Sequence, residues 1–137
     1  MKHLVDSDVF FSAIHAGHVS HRRSRDWLDR VKPDGWGVAV ETYLSAMRLL
    51  MNTSVMGKNT HTAPAAMDAI ERELAGTHPG RVVFSIEKPD RAILGLASGH
   101  KQVMDFWLVQ LAKQAGCSLA TNDAGTLANW PGVTVGI

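Results

Sequence analysis

The chain has 137 residues, 45% of them hydrophobic and 20% charged, which excludes a disordered tail or a fibre and fits one folded domain with a sizeable core. Fourteen Lys and Arg against thirteen Asp and Glu give a formal net charge of +1, which neither demands nor excludes a nucleic-acid partner, so the placement of the charges carries the information. Cys117 is the only cysteine, no apolar run approaches the ~18 residues of a membrane span, and Met1 to Asp6 lacks a signal-peptide core; the expected setting is the cytoplasm, with no disulfide and no membrane. No repeat, low-complexity tract or Pro/Gly/Ser-rich linker divides the chain.

In chain order, His3-Leu4-Val5 reads as a short strand ending at Asp6, and Asp8 to Ala16 as a buried helix. Ser20 can cap a helix over His21 to Val31, which Pro33-Asp34-Gly35 stops. Gly37 to Val40 is the second strand, Glu41 to Met51 a helix, and Asn52 to Thr62 a polar loop. Pro64 fits the first turn of a helix that shows Met67, Ile70 and Leu74 on one face. Arg81 to Ile86 is a β-branched run between Pro79-Gly80 and Pro89, the third strand. Asp90 to Ala97 and Val103 to Ala115 read as helices, the second closed by Gly116, and Ser118 to Thr121 and Val133 to Val135 complete the strands. Short apolar strands alternating with helices predict an α/β fold with a mostly parallel five-stranded sheet flanked by helices on both faces.

Ligands of such sheets bind beyond the carboxyl ends of the strands, so the acids there matter most. Asp6 ends the first strand, Glu41 follows the second, Asp123 lies just past the fourth, and Asp105 stands in the first turn of the preceding helix. Gathered in one partly dry cleft they would raise one another's pKa unless a cation neutralised them, and hard oxygen donors suit Mg²⁺ or Mn²⁺. Each acid taken alone has a plainer reading as a helix cap or a first-turn acid.

The basic residues concentrate elsewhere. His15, His18 and His21 with Arg22, Arg23 and Arg25 lie within eleven residues. This stretch is either a solvated helix face or a set of phosphate contacts, for which Arg is well shaped. Zinc is disfavoured there, because no cysteine lies nearby and the neighbouring acids suit harder ions. Trp27, Trp36, Trp107 and Trp130 sit mainly in apolar patterns and read as core, with Trp27 or Trp36 the alternative candidates for a partner groove.

The segments Leu4 to Phe10, Val103 to Ala112 and Gly116 to Asp123 resemble the three acidic motifs of the PIN domain, and more narrowly the VapC toxins of VapBC toxin–antitoxin systems. His18 to Leu28 and Gly35 to Leu50 are similar to further segments of one VapC subgroup, so the resemblance covers nearly the full chain. It implies a single three-layer PIN-like domain over residues 1–137 acting as a Mg²⁺- or Mn²⁺-dependent endoribonuclease. It also implies an RNA substrate, a VapB-like antitoxin, a homodimer and toxin–antitoxin hetero-oligomers. By the same resemblance Asp6, Asp105 and Asp123 are metal ligands and catalytic.

The chain departs from the family pattern at two places. Alignment on Thr42 and Arg48 puts Ser45 where many relatives carry a fourth acid, with Glu41 one helical turn earlier. From there Glu41 either reaches the same cleft as a catalytic acid or is a solvated first-turn acid. Asp8 stands where Asn is common and either supports the ligands or caps a helix; Thr121 either bonds a carboxylate or a metal-bound water or is simply a strand end. Arg48 resembles a subgroup arginine that pairs with an acid or touches RNA. Two other functions compete: a PIN-like RNA- or protein-binding module without catalysis, which the displaced fourth acid favours, and a phosphotransfer protein. For the latter, Asp6-Ser7-Asp8 is similar to the paired aspartates of haloacid-dehalogenase phosphatases, but Phe10 departs from that motif.

Overall fold

A computed structural model describes residues 1–137. Five strands, β1 (His3–Val5), β2 (Trp36–Ala39), β3 (Arg81–Val83), β4 (Ser118–Thr121) and β5 (Thr134–Gly136), form one sheet in the order β3-β2-β1-β4-β5, and every pairing is parallel. Eight helices flank it: α1 (Ser7–Ile14), α2 (His21–Val31), α3 (Val40–Leu50), α4 (Thr53–Met56), α5 (Ala63–Leu74), α6 (Arg91–Leu94), α7 (Gln102–Ala115) and α8 (Ala124–Asn129).

The strands are short apolar runs because both faces of the sheet are covered. On one face Val5, Trp36, Val38 and Ala120 of the strands pack with Phe10, Leu28, Leu50 and Ile70 from α1, α2, α3 and α5. On the other, Leu4, Ala39 and Leu119 pack with Ile93 of α6 and with Phe106, Leu108, Val109 and Leu111 of α7. The alternation of Leu4 and Val5 thus sends successive side chains to opposite cores.

Register places the site. Val5 lies opposite both Val38 and Ala120, so β1, β2 and β4 end together and the residues that follow them meet at one edge. The chain winds outward from β1 to β2 and β3 and then returns to β4 and β5 on the other side. β1 and β4 therefore flank the switch point, where doubly wound sheets open a crevice.

Several elements differ from expectation. The third strand stops at Val83, because its only neighbour, β2, turns into α3 at Val40 and offers no further partner; Phe84 and Ile86 are left 70% and 94% exposed. α6 is a single turn, capped by Asp90 and followed by Gly95, in place of the helix expected over Asp90 to Ala97. The polar segment Asn52 to Thr62 contains α4, capped by Asn52. Gly116 closes α7 in the left-handed conformation, with φ of 66°, as its position after Ala115 predicts.

Candidate active site

At the carboxyl ends of β1 and β4, Asp6, Ser7, Asp8, Asp105, Asn122 and Asp123 line a cleft of about 400 Å³ with no hydrophobic residue in its wall. Local chain geometry sets three of these positions. Asp6 caps α1, its Oδ1 accepting the Val9 N–H at 2.8 Å. Asp123 caps α8, its Oδ2 accepting from the Thr126 N–H at 2.8 Å and the Thr126 hydroxyl at 2.7 Å, while its own N–H donates to Thr121 Oγ1 at 3.1 Å. Asp105 enters from α7, whose first turn hangs over the same edge. Capping and lining the cleft are therefore compatible for Asp6 and Asp123, and capping fixes each carboxylate's direction.

The electrostatics are lopsided. Asp6 is 5% exposed, and burial, joined by repulsion from Asp8 and Asp105, pushes its carboxyl up to about 6 against the opposing influence of Thr121 and the Val9 N–H. Burial, then the charge of Asp123, pushes Asp105 up to about 6 as well. No lysine or arginine lines the cleft. No three His, Cys, Asp or Glu side chains already stand in ligating proximity, so there is no preformed cage. The donor set still fits Mg²⁺ or Mn²⁺, which bind through one or two carboxylates and retain waters, and Asp6, Asp105 and Asp123 are the groups that would hold such an ion.

The other expected site residues are distributed differently. Asp8 is at the rim, its carboxylate 3.9 Å from His18 Nε2. Glu41 and Ser45 do not line the cleft. Glu41 is not a solvated acid either: its Oε1 accepts the Trp107 Nε1–H at 2.9 Å and its Oε2 is closed off from solvent. Arg25 is committed to structure, because its guanidinium meets Glu73 at 2.6 and 2.9 Å and Asp29 at 2.7 and 3.1 Å, tying α2 to α5. That accounts for it without a phosphate. Arg22, Arg23 and Arg48 are exposed and make no ion pair within the chain. His21 packs α2 onto α1 through an Nδ1 bond to the Ser12 carbonyl at 2.8 Å. A larger cleft of about 1230 Å³ beside α6 and the second half of α7 contains none of the four clustered acids.

Sequence reading missed three contributors. Ser7 and Asn122 line the cleft, and Ser7 donates its hydroxyl proton to Thr42 Oγ1 at 3.3 Å, joining α1 to α3. The third is Trp107, read as core, whose indole N–H carries the bond to Glu41. Ser7 and Asn122 were signalled by their place beside the motif acids, whereas nothing in local sequence marks a bond between residues 41 and 107.

A parallel five-stranded sheet between two helical layers, with aspartates converging above its switch point, defines the class, and residues 3–129 match the PIN domain family; the chain belongs to it. Within that family its similarity is to VapC proteins. It is 30% identical over 128 residues to Ribonuclease VapC41 of Mycobacterium tuberculosis, a match covering 88% of each chain. Ribonuclease VapC29 of the same organism is 28% identical over 122 residues, covering 89% of this chain and 86% of that one. Ribonuclease VapC38 is 26% identical over 122 residues, covering 89% and 85%. Family membership sets aside the phosphotransfer reading. No helix is long and apolar enough to cross a membrane.

Proposed function

We propose that this chain is a VapC-type endoribonuclease that cleaves phosphodiester bonds in RNA with Mg²⁺ or Mn²⁺, the toxin half of a type II toxin–antitoxin pair. The observation that carries the reading is the cleft itself, where Asp6 and Asp105 are both pushed up to about 6 beside Asp123 with no protein cation among them. The similarity to proteins named ribonucleases supports the choice of substrate. A bound divalent ion would supply positive charge to polarise the scissile phosphate and acidify a water.

The chain's own groups do the placing. Asp6, directed by its bond to the Val9 N–H, and Asp105, projecting from α7, would hold such an ion. Asp123, steadied by Thr126 and by the turn at Thr121, would orient the attacking water or complete the ligand set. Asp8 adds negative charge at the rim, and Arg22, Arg23 and Arg48 are exposed cations that would meet an RNA backbone. The whole of residues 1–137 acts as one PIN domain, in the cytoplasm, as a homodimer restrained by a VapB-like antitoxin.

The test is RNA cleavage by purified wild type and Asp105→Asn, with added Mg²⁺ and with EDTA. Cleavage by wild type alone, abolished by EDTA, is expected; equal cleavage by the variant, or cleavage that survives EDTA, contradicts the proposal. The position of Glu41 outside the cleft wall favours one second reading, a binding module without catalysis. Wild type that binds RNA and does not cut it would select that reading.

A further inference from the structure

Four helices begin at the carboxyl edge of the sheet beside the acid cleft or its neighbours, α1, α3, α7 and α8, and two of them lack a side-chain cap of their own. α1 is capped by Asp6 and α8 by Asp123, but Ala39 before α3 and Lys101 before α7 make no side-chain capping bond. Two side-chain bonds tie these helices to one another. Ser7 of α1 bonds Thr42 of α3 at 3.3 Å, and Trp107 of α7 donates to Glu41 of α3 at 2.9 Å. The second spans 66 residues of sequence and joins elements from opposite layers, since α3 packs on the β1-β2 core with α1 and α5, and α7 on the other face.

Trp107 is two residues beyond Asp105 on α7. At 3.6 residues per turn their side chains leave the helix about 200° apart, so fixing the azimuth of one fixes that of the other. Phe106, between them, is fully buried and, with Leu108, Val109 and Leu111, seats α7 on its face of the sheet. The bond from Trp107 to Glu41 adds a fixed point on the turn that carries Asp105. Glu41 does not line the cleft wall: Oε1 accepts the indole N–H, and Oε2 is buried without a hydrogen-bond partner.

We propose that Glu41 is a positioning residue, acting through Trp107 to set the direction from which Asp105 enters the cleft, and that it takes the place of the family's fourth acid without entering the cleft itself. This rests on the nuclease reading for its effect on cleavage but not for its effect on Trp107. What Glu41 supplies is a hydrogen-bond acceptor at one point in space, and a glutamine supplies the same acceptor without the charge.

The experiment compares Glu41→Gln, Glu41→Ala, Trp107→Phe and the Glu41→Ala/Trp107→Phe double variant with wild type, using intact protein and checking each fold by its melting temperature. Three readouts are taken: solvent exchange of the Trp107 indole proton by NMR, Mg²⁺ affinity by calorimetry, and RNA cleavage. Expected are fast indole exchange in Glu41→Ala and slow exchange in Glu41→Gln. Mg²⁺ affinity and kcat should fall by about 10-fold in Glu41→Ala and in Trp107→Phe, as removal of a group supporting a ligand does. The double variant should be no worse than either single one, and Glu41→Gln should restore both quantities to within about threefold of wild type. If Glu41→Gln is as damaging as Glu41→Ala while Trp107→Phe behaves as wild type, the charge of Glu41 acts directly and the proposal is overturned. Indole exchange in Glu41→Ala as slow as in wild type overturns it as well. Absence of cleavage by wild type would count against the nuclease reading, and the indole and Mg²⁺ measurements would still decide the role of Glu41.

Discussion

Asp105 and Glu73 are both half-buried carboxylates, and the chain moves their pKa values in opposite directions. Burial raises both. At Asp105 the next influence is the like charge of Asp123, and the carboxyl ends at about 6. At Glu73 burial is outweighed by Arg25 and Lys32, whose nitrogens lie 2.6 and 2.7 Å from Oε1, and the carboxyl ends below its ordinary value. The junction of α2 and α5 thus shows what this protein does with a buried acid whose role is structural: it surrounds the acid with cations. The acid cleft has been left without them, so its deficit of positive charge belongs to the site rather than to crowding in general.

The comparison can be broken most forcefully by removing one acid from each region. Replacing Asp6 or Asp105 with Asn should lower RNA cleavage by about 100-fold or more, since even groups that merely support a ligand are worth about 10- to 100-fold. Glu73→Ala should leave cleavage chemistry in place and destabilise the fold by about 2 kcal/mol, because two partly buried cations lose their partner while water still reaches them. Urea denaturation measures that loss.

Asp6→Asn should do the reverse to stability. The Asn retains the cap on α1 and removes a buried charge, so the metal-free protein should gain about 1 to 2 kcal/mol at pH 7.5, within the limit of about 2.7 kcal/mol set by a shift of two pKa units. The pH dependence carries the same signature. The folded carboxyls of Asp6 and Asp105 lie above their ordinary value of 3.8, so the folded state binds their protons more tightly than the unfolded one does. Their destabilising effect is fully present above about 6 and fades as pH falls toward 3.8. The Glu73 contribution has the opposite sign, present above its ordinary value of 4.5 and lost as pH falls through its lowered folded value. A metal-free melting temperature that rises between pH 7.5 and 5, and a flatter profile with Mg²⁺, is the expected result of a thermal scan.

The smallest effect concerns the exposed arginines. Replacing Arg22 and Arg23 with Gln should weaken RNA binding and reduce its salt slope by about 0.7 for each phosphate no longer neutralised, measured by titration at several salt concentrations. Replacing Arg25 in their company should instead cost stability, since it serves Glu73.

Much of this arrangement was legible in the sequence because it follows from local rules. Strand ends marked by Asp6 and Asp123, and a helix start marked by Asp105, converge once parallel strands are assumed. The Gly116 cap and the Asn52 to Thr62 break between α3 and α5 were legible for the same reason, though the single turn of α4 within that segment was not. What could not be read depends on tertiary neighbours. The length of β3 is set by where β2 ends, and the fate of Arg25 by Glu73, 48 residues away. Glu41 offered two readings in sequence, cleft acid or solvated acid, and the fold gives it a third because Trp107 arrives from the opposite layer.

The central claim is that the cleft holds its acids short of a cation. The most direct measurement is side-chain carboxyl titration by ¹³C NMR in metal-free protein and again with saturating Mg²⁺. The account predicts that the Asp6 and Asp105 signals titrate near 6 without the ion and fall below about 4 with it. Ordinary carboxylate titration in the metal-free protein, or midpoints that Mg²⁺ does not move, would contradict it.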